Sequence, residues 1–187
     1  MDRDAAIAEL RKPLDRAHVK EPKQYGPKGH YIEAWHAQAE ANRIFGEFDW
    51  SQEVMETSCV HQGERPIGRD KKQGWGVTYT AKVRVTVDDV IREDFGAGHG
   101  YDMDLGLAHE SAIKEAVSDA MKRALKAFSN PFGLALYDKT QSNVVDVNAE
   151  MAKAAADILA WAKKPTRVTG LSHLGVRWRG AINVDGL

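Results

Sequence analysis

Lys114, Lys122, Arg123 and Lys126 lie within one stretch, Glu110–Ser129, whose apolar residues recur at helical spacing. At 3.6 residues per turn Lys122 and Lys126 stack one turn apart on a single face, with Lys114 and Arg123 on its two borders. A row of cations on a rigid helix suits a polyanion such as a phosphate backbone, because charge pairing and counterion release do not require a specific sequence. The competing reading is an ordinary solvated face, since Glu115 and Asp119 share it and Asp119 stands at i+3 and i+4 from Lys122 and Arg123. A second group, His99, Asp102, Asp104 and His109, has side chains that bind divalent ions, and a metal there would imply a metal-dependent nuclease. These four follow no compact ligand motif, and their glycine-rich surroundings lack the GK[ST] of a nucleotide-binding loop.

The cationic helix needs an anchor. Ile113, Val117, Ala120, Met121, Ala124 and Phe128 make its apolar stripe. Trp75–Val87 is the clearest strand, with Trp75, Val77, Tyr79, Ala81, Val83, Val85 and Val87 on one side and Lys82 and Arg84 on the other. Asp88-Asp89 turns the chain, and Val90–Phe95 returns antiparallel. Trp50–Val60 is the third strand, joined to the second by a polar connection, His61–Gly74, that carries Arg65, Arg69, Lys71 and Lys72. Gly96–Gly106 reads as a flexible loop into the cationic helix.

The flanks are helical. Residues 4–18 form a short amphipathic helix interrupted near Pro13, and a proline- and glycine-rich loop follows. Residues 31–45 form a helix stopped by Gly46, with His36 and Arg43 on one face. Asn130-Pro131 breaks the cationic helix, and Asp138–Val147 is a polar linker. Ala149–Lys163 is a further amphipathic helix with Asn148 as its N-cap. Val176, Trp178, Ile182 and Val184 alternate as a short strand, and the basic run Lys163–Arg179 serves nucleic acid, a neighbouring subunit or solubility. The result is an α+β fold: an antiparallel sheet of about three strands with an extended hairpin, packed on a long basic helix.

With 187 residues the chain is long enough for one cored domain, or one domain and a tail. Its single cysteine, Cys59, excludes an internal disulfide and a cysteine zinc cluster, and fits a reducing compartment. No apolar run is long enough to span a bilayer, and the N-terminus does not read as a secretory signal. A net charge of -1 makes long-range steering toward DNA weak, so binding must depend on where the cations sit.

EDFGAGHG followed by KEAVSDAMKRALKAFSNPFGLALYDK resembles the signature of the Rad52 family of single-strand annealing proteins: an acidic-glycine strand end, KEAVTDxLKRALRxFG and a closing YDK. YIEAWHAQAEANRIFG followed by Trp50 is similar to the family's earlier helix motif. The match covers about residues 25–140, between an N-terminal helix and loop (1–24) and a C-terminal helix and basic tail (141–187) that resembles nothing nameable.

The resemblance implies a Rad52-like β-β-β-α core and a DNA-binding protein, not an enzyme, with no cofactor. It implies side-by-side assembly into rings or arcs that hold single-stranded DNA in a basic groove, backbone inward, and anneal complementary strands without ATP. A recombinase or a single-stranded DNA-binding protein is an implied partner, and a membrane is not. The location would be the cytoplasm, with the nucleoid, for a bacterial or phage source, and the nucleus or mitochondrion for a eukaryotic one. The groove residues it implies are Lys122, Arg123 and Lys126, with His36 standing where the family carries a basic residue of the earlier helix; helical spacing adds Lys114 on the border of the cationic face and Arg43 on the face of His36. Where the family carries lysines for a second, outer DNA site, this chain has Asp88-Asp89 and Tyr101-Asp102-Met103-Asp104. Carboxylates repel phosphate there, which leaves Lys82, Arg84 and the loop cations Arg69, Lys71 and Lys72 as substitutes.

Overall fold

The computed structural model describes residues 2–22 and 29–163. The C-terminal alternating segment and all of the basic run after Lys163 lie outside the described residues. The chain divides into two compact units, Met1–Glu150 and Met151–Leu187.

The first unit is built on an antiparallel sheet in the order β2-β3-β4, formed by β2 (Trp50–Ile67), β3 (Lys72–Val87) and β4 (Val90–Asp102). Helix α3 (Leu105–Lys126) lies across one face and covers β3 and β4. Val77, Ala81, Val83, Val85 and Val87 of β3 are buried, as their alternation predicts. β2 has no buried residue along its length. At roughly 3.4 Å per residue it runs to about 60 Å, whereas α3 at 1.5 Å per residue reaches about 33 Å. The helix therefore cannot cover the whole hairpin.

Two expectations about this sheet are corrected. The connection His61–Gly74 is mostly strand: β2 continues to Ile67, and only Gly68–Lys71 turns, with Gly68 and Lys71 at positive φ. Its polar side chains hid this, because pairing with β3 rather than burial holds it extended. Bulges at Met55 and Val60 interrupt the β2–β3 register on the way. The second correction concerns Gly96–Gly106, where β4 runs on to Asp102.

Gly96, Gly98 and Gly100 alternate on the face of β4 that meets α3. A Cβ on them would fall 2.2 Å from Ala120 N, 2.2 Å from Ala112 O and 1.8 Å from Ala108 O, respectively. These glycines thus serve close approach rather than turning. The matching face of α3 is Ala108, Ala112, Ala116, Ala120 and Ala124, all fully buried, with Met121 and Leu125 toward the C-terminal end. The buried stripe is this alanine row; Ile113, Val117 and Phe128 are only half-buried on its border. At the β4 edge the His99 backbone N–H donates to Glu115 Oε2 of α3 (2.7 Å).

Helix α1 (Arg3–Leu10) ends before Pro13, and α2 (Ala34–Phe45) is closed by Gly46 at φ 95°. Phe45 of α2 packs against Phe128 and Phe132, with ring centroids 5.2 and 5.7 Å away. Burying a ring as fully as Phe132 contributes about 2–3 kcal/mol and fixes α2 against the end of α3. Instead of a helix past Pro13, β1 (Leu14–Asp15) pairs in parallel with β5 (Val144–Val145), inside the segment expected to be a linker. Helix α4 (Val147–Ala162) starts earlier than expected, and its cap is Asp146, which accepts the Ala149 N–H at 3.0 Å, rather than Asn148. Among the described residues no helix is long and apolar enough to cross a membrane.

Candidate nucleic-acid interface

The C-terminal half of α3 brings Lys122, Arg123 and Lys126 to one cleft of about 100 Å³, with Tyr31, Asp119 and Tyr137 around it. The alanine row clamped on β4 sets the direction of these side chains. Tyr31 enters from the segment before α2, tied by the reciprocal Lys20–Tyr31 backbone bonds of 2.8 and 3.1 Å. Tyr137 ends the 3-10 turn Leu134–Tyr137.

Each lysine of the cleft faces a tyrosine ring. Lys122 Nζ lies 6.0 Å from the Tyr31 centroid, and Lys126 Nζ lies 4.0 Å from that of Tyr137. Among the described residues neither ammonium has a carboxylate within ion-pair distance. Arg123 differs, because its Nε–H donates to Asp94 of β4 at 3.2 Å. Burial works to lower the Arg123 pKa, but the Asp94 hydrogen bond and charge outweigh it and hold the pKa above the ordinary value. Its side chain is still 43% exposed, so one carboxylate anchors the guanidinium without sealing it away.

The other candidates are scattered. Lys114 is paired with Glu110 one turn back and is strongly exposed, outside the cleft. Arg43 is forked between Glu40 and Glu9 at 2.8 and 2.7 Å, and the Glu40 hydrogen bond leads in raising its pKa. His36 is buried, 5% exposed, and its ring stacks on His18 at 3.9 Å. Burial, then the neighbouring His18, pushes its pKa below the usual histidine value. Lys82 and Arg84 lie on the other face of the sheet, and both bind Glu93, at 2.7 and 2.6 Å. Those bonds, Lys82 first, hold the Glu93 carboxyl below its ordinary range.

The metal-ligand types do not converge. His99 Nδ1 meets Thr78 Oγ1, and His109 bridges Tyr79 and Gln62. Asp104 caps α3 by accepting the Leu107 N–H, and Asp102 accepts the Asp104 N–H. Among the described residues no group of three or more histidine, cysteine or carboxylate side chains is placed to hold a metal ion.

Sequence reasoning missed Tyr31 and Tyr137, and with them the hydrogen-bonded turn that follows Tyr137. Asp138 accepts the N–H and O–H of both Thr140 and Ser142. The Thr140 bonds lead in holding its carboxyl well below the usual aspartate range. The spacing D-x-T-x-S is the available sequence signal, since such side chains bond to nearby backbone in turns.

A three-stranded sheet gripping a cation-bearing helix defines an α+β scaffold that presents positive charge from a fixed frame. Residues 2–154 match the Rad52/22 family of double-strand break repair proteins, and the chain belongs to that family. It is 39% identical over 147 residues to DNA repair and recombination protein RAD52 of Eremothecium gossypii, covering 71% of this chain and 32% of that protein. It is 41% identical over 112 residues to RAD52 of Saccharomyces cerevisiae, covering 58% of this chain and 22% of that protein. Protein rti1 of Schizosaccharomyces pombe, also a DNA repair and recombination protein, is 38% identical over 111 residues, 58% of this chain and 29% of its own length. The chain thus spans about a third or less of these relatives.

Proposed function

We propose that this chain binds single-stranded DNA through the Lys122–Arg123–Lys126 cleft and anneals complementary strands without ATP, as a ring- or arc-shaped oligomer. The observation that carries the reading is the pair of lysine ammoniums, without carboxylate partners among the described residues, that α3 turns into one cleft beside Arg123. Phosphates bind there by charge and counterion release, and the bases remain available to test a second strand. The reaction draws its free energy from duplex formation, about 1.4 kcal/mol per stacked step, so no hydrolysis is needed. Repetition around an oligomer joins weak sites into a strong one, which offsets a net charge of -1. A recombinase or a single-stranded DNA-binding protein is the expected partner in repair.

The test is fluorescence anisotropy on labelled oligo-dT across a salt series, with strand annealing followed by energy transfer. Lys122→Ala/Arg123→Ala should lose at least tenfold in affinity. Its plot of log affinity against log salt should flatten by about 1.4, for two phosphate contacts removed. A double variant that binds and anneals like the wild type would remove the assigned cleft.

A further inference from the structure

We infer that Tyr137 is a positioning residue for DNA binding: its ring holds the Lys126 ammonium at the mouth of the cleft, so that the cation meets phosphate already oriented. The inference rests on the reading of that cleft as a DNA site. Three observations support it.

The first is distance: Lys126 Nζ stands 4.0 Å from the Tyr137 centroid, well inside the range where an ammonium is attracted to a ring face. The second is the frame. Tyr137 ends the 3-10 turn Leu134–Tyr137 and directly precedes Asp138, whose carboxylate gathers four hydrogen bonds from Thr140 and Ser142, so the backbone carrying the ring runs between two ordered turns. The third is exposure. Tyr137 remains 66% exposed, so this large ring is not there to fill the core. A free lysine gives up much of its rotamer freedom when it grips a phosphate. A lysine already resting on a ring has given up part of that freedom beforehand, and the difference appears as affinity. Lys122 with Tyr31, at 6.0 Å, is a looser version of the same arrangement.

The ring could instead stack on a base, and the two roles separate by experiment. Affinities of the full chain for oligo-dT and for an abasic oligonucleotide of equal length are compared across salt, in the wild type, Tyr137→Phe and Tyr137→Leu. Positioning predicts that Tyr137→Leu weakens both ligands equally, about two- to fivefold per subunit contact. It also predicts a shallower salt slope, and that Tyr137→Phe, which keeps the ring, behaves as wild type. Loss confined to oligo-dT would assign base stacking and overturn the inference, and so would a Leu variant equal to the wild type.

Reductive methylation read by mass spectrometry gives a DNA-independent arm. Lys126 should react faster in Tyr137→Leu than in the wild type or Tyr137→Phe, and equal reactivity would overturn the inference. A wild type that binds neither oligonucleotide would end the reading of the cleft as a DNA site, while the methylation arm would still report whether the ring holds the lysine.

Discussion

At the scale of single residues, the cations differ less in type than in what surrounds them. Lys122 and Lys126 face rings, Arg123 shares itself with Asp94, and Arg43, Lys82 and Arg84 are engaged by Glu40, Glu9 and Glu93. Counting positive residues in the sequence could not separate these groups, because most of their acidic partners come from other elements.

His36 carries a separate consequence. Its folded pKa lies below the unfolded value, so the unfolded chain binds the extra proton in the window beneath pH 6.5. The stability contributed by the neutral ring is complete above that pH and is lost as pH falls through it. Asp15 and Glu40 favour the charged ring, whereas Arg43 and His18 oppose it, and burial outweighs all of them. Thermal unfolding followed from pH 7.5 to pH 5 should show a falling midpoint in the wild type. His36→Phe, which has nothing to protonate at that position, should show a smaller fall, and parallel curves would contradict this.

At the scale of elements, the contact that orients the site is β4 against α3. Three glycines on one side and five alanines on the other bring strand and helix backbones close, and any side chain inserted there separates them. Gly98→Ala places a methyl group 2.2 Å from Ala112 O and 2.3 Å from Ala116 N, both backbone atoms that cannot swing away. The expected cost is about 2–3 kcal/mol, read as a lower urea midpoint with unchanged slope. Affinity for oligo-dT should fall with it, since the Lys122–Lys126 row shifts with its helix.

The cationic face and the central strand were legible because each depends on periodicity within one segment. The alanine row was not, because alanine contributes little to an apolar pattern and its role depends on the glycines opposite. Gly-x-Gly-x-Gly at 96, 98 and 100 carries the period of a strand, but glycine's abundance in turns pointed to a loop. The β1–β5 pair joins residues far apart in sequence and was invisible for that reason.

At the scale of the whole molecule, the proposal requires copies to act together. One cleft with three cations gives a weak site in physiological salt, and useful affinity requires several clefts on one strand. Negative-stain electron microscopy of the purified chain should show rings or arcs, more of them closed or ordered when oligo-dT is present. A monodisperse monomer that still anneals strands would leave the cleft in place and dismiss the assembly.

The bond from His99 N–H to Glu115 bears on how such copies can meet. An outer strand with free amides invites any extended peptide to lie alongside it. On β4 one of those amides is already taken by α3, which packs on β4 and β3 and barely reaches β2. The two margins of the sheet are therefore unequal. A stray strand approaching β4 must first displace a carboxylate, so uncontrolled growth of the sheet is discouraged on the side nearest the cationic helix.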